Sequence, residues 1–177
     1  MYKVLIISIL MGMFMGCGRH VPEPETEYGM VYHNERISFQ YPSNWKIVSQ
    51  KEYEKVRITQ VESPGYAGVT VYFSPEKLEE TLSLFVVKLT KEMESKSTPQ
   101  REISKEYFTQ VESEDGYKII IGEYTETTPD TTMEFRKIYK YKEINGMHYY
   151  LVNYSPSDDT EIENRGFKLI SSSLKSL

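Results

Sequence analysis

One cysteine, three histidines and one tryptophan in 177 residues remove several chemistries at once. A lone cysteine forms no internal disulfide and no thiolate-rich zinc site. His20 lies in an expected tether, and a metal site made of His33 and His148, far apart in sequence, would need carboxylate help that no spacing predicts. No serine lies in a Gly-x-Ser-x-Gly frame, and no glycine-rich segment could cradle a phosphate. Acidic residues outnumber basic ones by 26 to 21, giving a net charge of -5, which argues against nucleic acid as a partner and against a polybasic membrane patch. Long apolar runs are also missing. The longest, residues 4–15, would span about 18 Å as a helix against the roughly 30 Å of a bilayer core.

What the chain does have begins with that short run. Lys3 precedes it, Gly16 ends it with a small side chain, and Cys17 follows, the pattern of a bacterial lipoprotein signal. The expected processing removes residues 1–16 and leaves Cys17 as the lipidated first residue, held at the membrane by two or three acyl chains. Phe14 stands where leucine is commonest in such signals, and Gly18 rather than aspartate follows the cysteine. The expected address is therefore extracytoplasmic, and in a cell with two membranes the outer membrane facing the periplasm. An ordinary cleaved secretory signal and an uncleaved anchor are the alternatives.

Residues 17–29 combine the cysteine with Pro22, Pro24, Glu23, Glu25 and Glu27 and have no apolar periodicity, so residues 19–28 read as an extended, solvated tether. Residues 30–177 read as one globular domain, a size that can bury a single core. Fifteen tyrosines and seven phenylalanines among β-branched neighbours point to sheet, with the tyrosines as half-buried strand residues. Strand patterns fall at 30–33, 37–41, 45–49, 56–61 and 69–73. Ser74-Pro75-Glu76 reads as a helix start, followed by an apolar stripe of Leu78, Leu82, Phe85, Val86, Leu89 and Met93. Asp115-Gly116 and Asn145-Gly146 each predict a type I′ hairpin, and the loop at 127–132 would join neighbouring strands. A second helix is expected from Asp158, with Glu161 completing a capping box and Gly166 weakening the helix. The fold class is α+β: a central antiparallel sheet flanked by helices.

The segment Ile37-Ser-Phe-Gln-Tyr-Pro-Ser-Asn-Trp45, an aromatic strand running into a Tyr-Pro turn and a tryptophan, resembles the opening of PsbP-like domains. The later order of strands, long helix, tyrosine-rich hairpin around Asn145-Gly146 and terminal helix with Ser171 to Leu174 is similar too. The resemblance covers residues 30–177 and implies an α/β/α sandwich, with Phe39, Tyr41, Pro42 and Trp45 as the fold signature, acting as core and turn residues. It also implies a protein that binds or assists a larger assembly without catalysis.

Candidate sites outside this signature are few. Asp158, Asp159, Glu161 and Glu163 form the densest acidic cluster, but they lack the spacing of a calcium loop and suit a helix N-terminus. Glu112, Glu114 and Asp115 read as a solvated hairpin tip. The expectation is a non-catalytic envelope accessory protein with lipid on Cys17, an envelope protein as partner, and no cofactor or metal. A lipoprotein that binds a small ligand or metal ion is the first alternative, and a hydrolase built from unassigned carboxylates is the second.

Overall fold

The computed structural model describes residues 21–79, 81–95, 97–98 and 100–177. In chain order the elements are β1 (Met30–His33), β2 (Ile37–Tyr41), β3 (Lys46–Glu52), β4 (Arg57–Glu62), β5 (Gly68–Ser74), α1 (Leu82–Glu94), β6 (Glu102–Ile103), β7 (Tyr107–Glu114), β8 (Tyr117–Thr127), β9 (Thr132–Ile144), β10 (Met147–Pro156), α2 (Thr160–Ser173) and β11 (Lys175–Ser176). A large sheet runs β3-β4-β5-β10-β9-β8, with β6 and β7 both pairing along the outer edge of β8. Every pairing is antiparallel. A second sheet of order β1-β2-β11 lies apart from it.

Both hairpins form at the expected dipeptides because asparagine, aspartate and glycine tolerate left-handed backbone. Asp115 and Gly116 have φ of 53° and 75°, and Asn145 and Gly146 have 51° and 74°. Thr127 pairs with Thr132, so β7 to β10 are four consecutive neighbours.

The first helix starts later than its sequence suggests. Thr81 is the N-cap, its side chain accepting from the Leu84 amide at 3.2 Å. Ser74 instead ends β5, where its Oγ accepts from the Glu76 amide at 3.1 Å in a local turn. The Tyr150 hydroxyl donates to the Glu79 carbonyl at 3.4 Å, which helps hold the approach to the helix in non-helical form. The capping box at the second helix is also absent. Ser157–Asp159 forms a 3-10 turn, and the cap residue Asp159 makes no side-chain capping bond. Thr160 does that tethering, with Oγ1 donating to the Pro156 carbonyl at 3.2 Å and lying 2.7 Å from Ser155 Oγ.

The large sheet is covered on both faces. Leu82, Phe85 and Val86 of α1 pack on Ile120, Tyr139, Tyr150 and Val152. On the opposite face, the small sheet and α2 supply Ile37, Phe39, Phe167 and Ile170 against Val69, Val71, Tyr149 and Leu151. Residues 21–26, expected in the tether, lie against this second layer. Val21 is 5% exposed, Glu25 N–H donates to Asn44 Oδ1 at 3.0 Å, and Asn44 Nδ2 donates to the Glu23 carbonyl at 2.8 Å. Ser43 N–H and the Glu25 carbonyl add another bond at 3.0 Å. Among the described residues the packed unit already includes Val21 and Pro24, both buried, in a segment whose charges suggest a free tether.

Candidate functional site

The fold-signature residues are structural. Phe39 is fully buried, stacked on Tyr32 at 4.8 Å and edge-on to Tyr41 at 6.4 Å. The Pro42 carbonyl accepts from the Trp45 amide at 3.0 Å, closing the turn. Trp45, 2% exposed, stands edge-on to Phe167 at 5.7 Å and lies across the backbone of Gly166. The helix can approach the indole because residue 166 has no Cβ, so the glycine that weakened the helix in sequence is what seats it.

The other sequence candidates are not brought together. Cys17, residues 1–16 and His20 lie outside the described residues. His33 is exposed on the small sheet, whereas His148 is in the large one, with Nδ1 2.9 Å from the Tyr141 hydroxyl. The acidic cluster is divided by its helix: Glu163 is fully buried and accepts from Ser63 Oγ at 2.7 Å, while Asp158 and Glu161 are exposed. Among the described residues no group of histidine, cysteine or carboxylate side chains is arranged to hold a metal ion. At the hairpin tip Glu114 and Asp115 are exposed, and the Asp115 carbonyl accepts from Lys142 Nζ at 3.2 Å.

A buried polar node lies under α1, built from side chains that no sequence motif groups together. Glu106, 2% exposed, accepts from Thr90 Oγ1 at 3.0 Å and from the Tyr139 hydroxyl at 2.9 Å, with Lys137 Nζ 3.8 Å away. Lys137 Nζ also sits 4.5 Å over the Tyr124 ring. Burial, reinforced by the Glu106 charge, pushes the Tyr139 hydroxyl well above the usual phenol range. The node ties helix to sheet through satisfied groups, the arrangement expected of a structural cross-brace.

The more open feature lies on the α2 face of the sheet. There α2 leaves the β8-β9 end partly uncovered, and a cleft of about 440 Å³ opens beside it. Ile119, Ile121 and Ile138 form its floor; in the sheet register Ile119 faces Lys140 and Ile121 faces Ile138. Arg136 and Lys140 of β9 and Lys168 of α2 supply three cations. Glu114 and Glu161 also line the cleft, yet among the described residues none of the three cations is in an ion pair or donates a side-chain hydrogen bond. Arg136 Nε is buried without a partner. Burial pushes the Lys140 ammonium below its ordinary value, Glu114 and Asp115 oppose that, and Lys168 adds to it. The sequence signal was present in the alternation Arg136, Ile138, Lys140 on one strand face. It could not show that the covering helix would stop short of that face.

The family model described as PsbP-like protein matches residues 21–175. The chain belongs to the PsbP-like family. Among solved structures it is similar to the solution structure of cyanobacterial PsbP from Synechocystis sp. PCC 6803, with a TM-score of 0.54 and 15% identity over 90% of this chain and 96% of that one. At that identity the likeness is one of fold. A Pseudomonas aeruginosa protein of unknown function, titled a putative regulator, aligns with a TM-score of 0.35 and 12% identity over 80% of this chain and 92% of that one. No curated protein matches the chain. Among the described residues no helix is long and apolar enough to cross a membrane.

Proposed function

We propose that this PsbP-like protein is an extracytoplasmic accessory factor, held to the cell envelope by lipid on Cys17, that binds another envelope component and catalyses nothing. The observation that carries the binding reading is the cleft beside α2, an open concavity with an apolar floor and three cations that are in no ion pair among the described residues. Nucleophile, base and orienting group are the parts a hydrolytic site needs. The cleft offers hydroxyls at Ser157 and Thr160, carboxylates and cations, but no histidine or cysteine. Family membership and the anchor motif support the rest of the reading.

The docked N-terminus gives the anchor a geometric consequence. Three residues, Gly18, Arg19 and His20, separate Cys17 from buried Val21. Four Cα steps reach at most about 14 Å, so the domain is held against the bilayer rather than on a long stalk. Its partner is therefore sought at the same membrane.

Labelled palmitate should enter the wild-type chain and fail to enter Cys17→Ala. Incorporation into the variant overturns the anchor. Cross-linking in intact envelopes should capture a defined partner with the wild type and lose it when Arg136 and Lys140 are replaced by glutamine. Capture that survives the double replacement overturns the assignment of binding to the cleft.

A further inference from the structure

We infer that the cleft beside α2 is a site for a small organic anion, a carboxylate or phosphate head carried on a short aliphatic body. Its volume of about 440 Å³ lies within the roughly 300–1,000 Å³ typical of small-molecule pockets. The ligand class follows from the lining. Ile121 and Ile138 are only partly buried, which leaves aliphatic surface on the floor beside the fully packed part of the core. Two cations from the strand and one from the helix border that floor, on a protein whose net charge is -5.

Three cations share the cleft with two carboxylates, Glu114 and Glu161, so the lining carries an excess of positive charge, which is costly where it is partly buried. Several cations elsewhere are paired: Arg101 grips Glu126 through Nε at 2.6 Å and Nη2 at 2.7 Å, Arg165 reaches Glu23 at 3.1 Å, and Lys55 reaches Glu76 at 2.9 Å. Arg57 and Lys88 are likewise paired, with Glu52 and Glu79. Among the described residues Arg136, Lys140 and Lys168 are in no ion pair, and unlike the scattered surface lysines they converge on one cleft. Glu123 faces Arg136 across the sheet register but makes no ion pair with it. An arginine fork matches the two oxygens of a carboxylate or phosphate, and Arg136 is part of the cleft lining. Lys140 lies 5.7 Å from the Tyr117 ring centroid, a contact that leaves its ammonium protons available to an anion. Thr160 Oγ1 is already engaged with the Pro156 carbonyl, so the charged side chains rather than the helix end carry the recognition.

This inference rests on the binding reading of the cleft but not on the lipid at Cys17. The test uses the full chain in neutral maltoside micelles, titrated with hexyl phosphate, hexanoate, hexanol and inorganic phosphate while isoleucine methyl signals are followed by NMR. Saturable shifts at Ile119, Ile121 and Ile138 are expected with hexyl phosphate or hexanoate. The tighter of the two identifies a phosphate-headed or a fatty-acid-like source. Arg136→Gln should weaken binding by about tenfold or more, as loss of a charged hydrogen-bond donor does. Lys168→Gln, at an exposed position that folding does not depend on, should weaken it several-fold, and Arg165→Gln outside the cleft should leave it unchanged. Equal binding of hexanol, equal binding of inorganic phosphate, or shifts that all three variants share with wild type would overturn the inference. If binding persists while palmitate labelling fails, only the anchor falls; if labelling succeeds and no anion binds, only the cleft assignment falls.

Discussion

Replacing Gly166 with alanine sets two effects of known sign against each other. Within a helix, alanine is favoured over glycine by about 1 kcal/mol, so at an exposed position the change would stabilise. At this position the new Cβ would lie 2.7 Å from Cη2 and 3.0 Å from Cε2 of Trp45, and closer still to Cζ2. Carbon atoms rest at about 3.5–4.0 Å, so either the ring or the helix must move by about 1 Å. The ring has little room, being 2% exposed and edge-on to Phe167. The helix is held by buried Phe167 and Ile170. Overpacking of this kind costs roughly 1–3 kcal/mol and occasionally more, and several simultaneous clashes place it at or above the upper end. The expected net loss is about 2–3 kcal/mol. For a domain of this size that is a fall in Tm of roughly 5–10 °C, measured by thermal and urea unfolding. The double variant Gly166→Ala/Trp45→Phe should recover part of the loss relative to Trp45→Phe alone, because the smaller ring vacates the clash. A Gly166→Ala protein as stable as wild type, or more stable, would refute the claim that Trp45 dictates glycine here.

Glu106→Gln should cost about 3 kcal/mol in urea unfolding, because Lys137, with a side chain 12% exposed, loses the carboxylate 3.8 Å from it. Asn44→Ala removes both bonds that clamp the backbone at Glu23 and Glu25 and should destabilise the strap by about 1–2 kcal/mol, seen as faster hydrogen exchange at the Glu25 amide with exchange in β8 and β9 unchanged. Burial holds Tyr72, Tyr117 and Tyr154 protonated to about pH 12 in the folded protein, each raised from 10.0. The unfolded chain releases those protons first, so stability is full below pH 10 and declines between pH 10 and 12. Denaturant midpoints should fall through that window, and Tyr154→Phe should shallow the decline; a flat profile would contradict the buried phenols.

The turns were readable because their physics is local. Asp115-Gly116 and Asn145-Gly146 need positive φ, few residues supply it, and the strands on either side alternate in period two. The helix ends were misread for the opposite reason. Ser74, Pro75 and Glu76 have the side chains of a helix start, but β5 runs on to Ser74 and the Tyr150 hydroxyl reaches the Glu79 carbonyl, a contact 71 residues away in sequence. The short strands β6 and β11 carry two residues each, too few to show any periodicity. Residues 21–26 were read as solvated from their prolines and acids, although Val21 fills the space over Gly65 and Asn44 supplies the polar partners. At the site, Arg136 and Lys140 looked like ordinary strand cations. Their lack of partners depends on where α2 ends its coverage, which only the assembled layers reveal.

The helix α2 borders the cleft on one side and meets the docked N-terminus on another. Glu161, Asn164 and Lys168, spaced three and four apart, form the helix face that borders the cleft. Glu163, Gly166, Phe167 and Ile170 form the face sunk into the core, and Arg165 projects to the Glu23 carboxylate of the docked N-terminus at 3.1 Å. Glu163 closes the link by accepting from Ser63 Oγ, whose oxygen also accepts from the Gly65 amide at 3.0 Å beneath Val21. A helix wedged against Trp45 cannot rotate to favour one side alone, so the cleft is held at a fixed position relative to the segment that leads to Cys17. With about 14 Å of chain as the outer limit between that cysteine and Val21, an acylated protein presents the cleft at a restricted height above its bilayer. Lengthening residues 18–20 by a ten-residue glycine-serine insert should therefore leave hexyl phosphate binding unchanged while weakening cross-linking to a partner in the same membrane. If cross-linking is indifferent to the insert, the docked strap fixes the fold and not the position of the site.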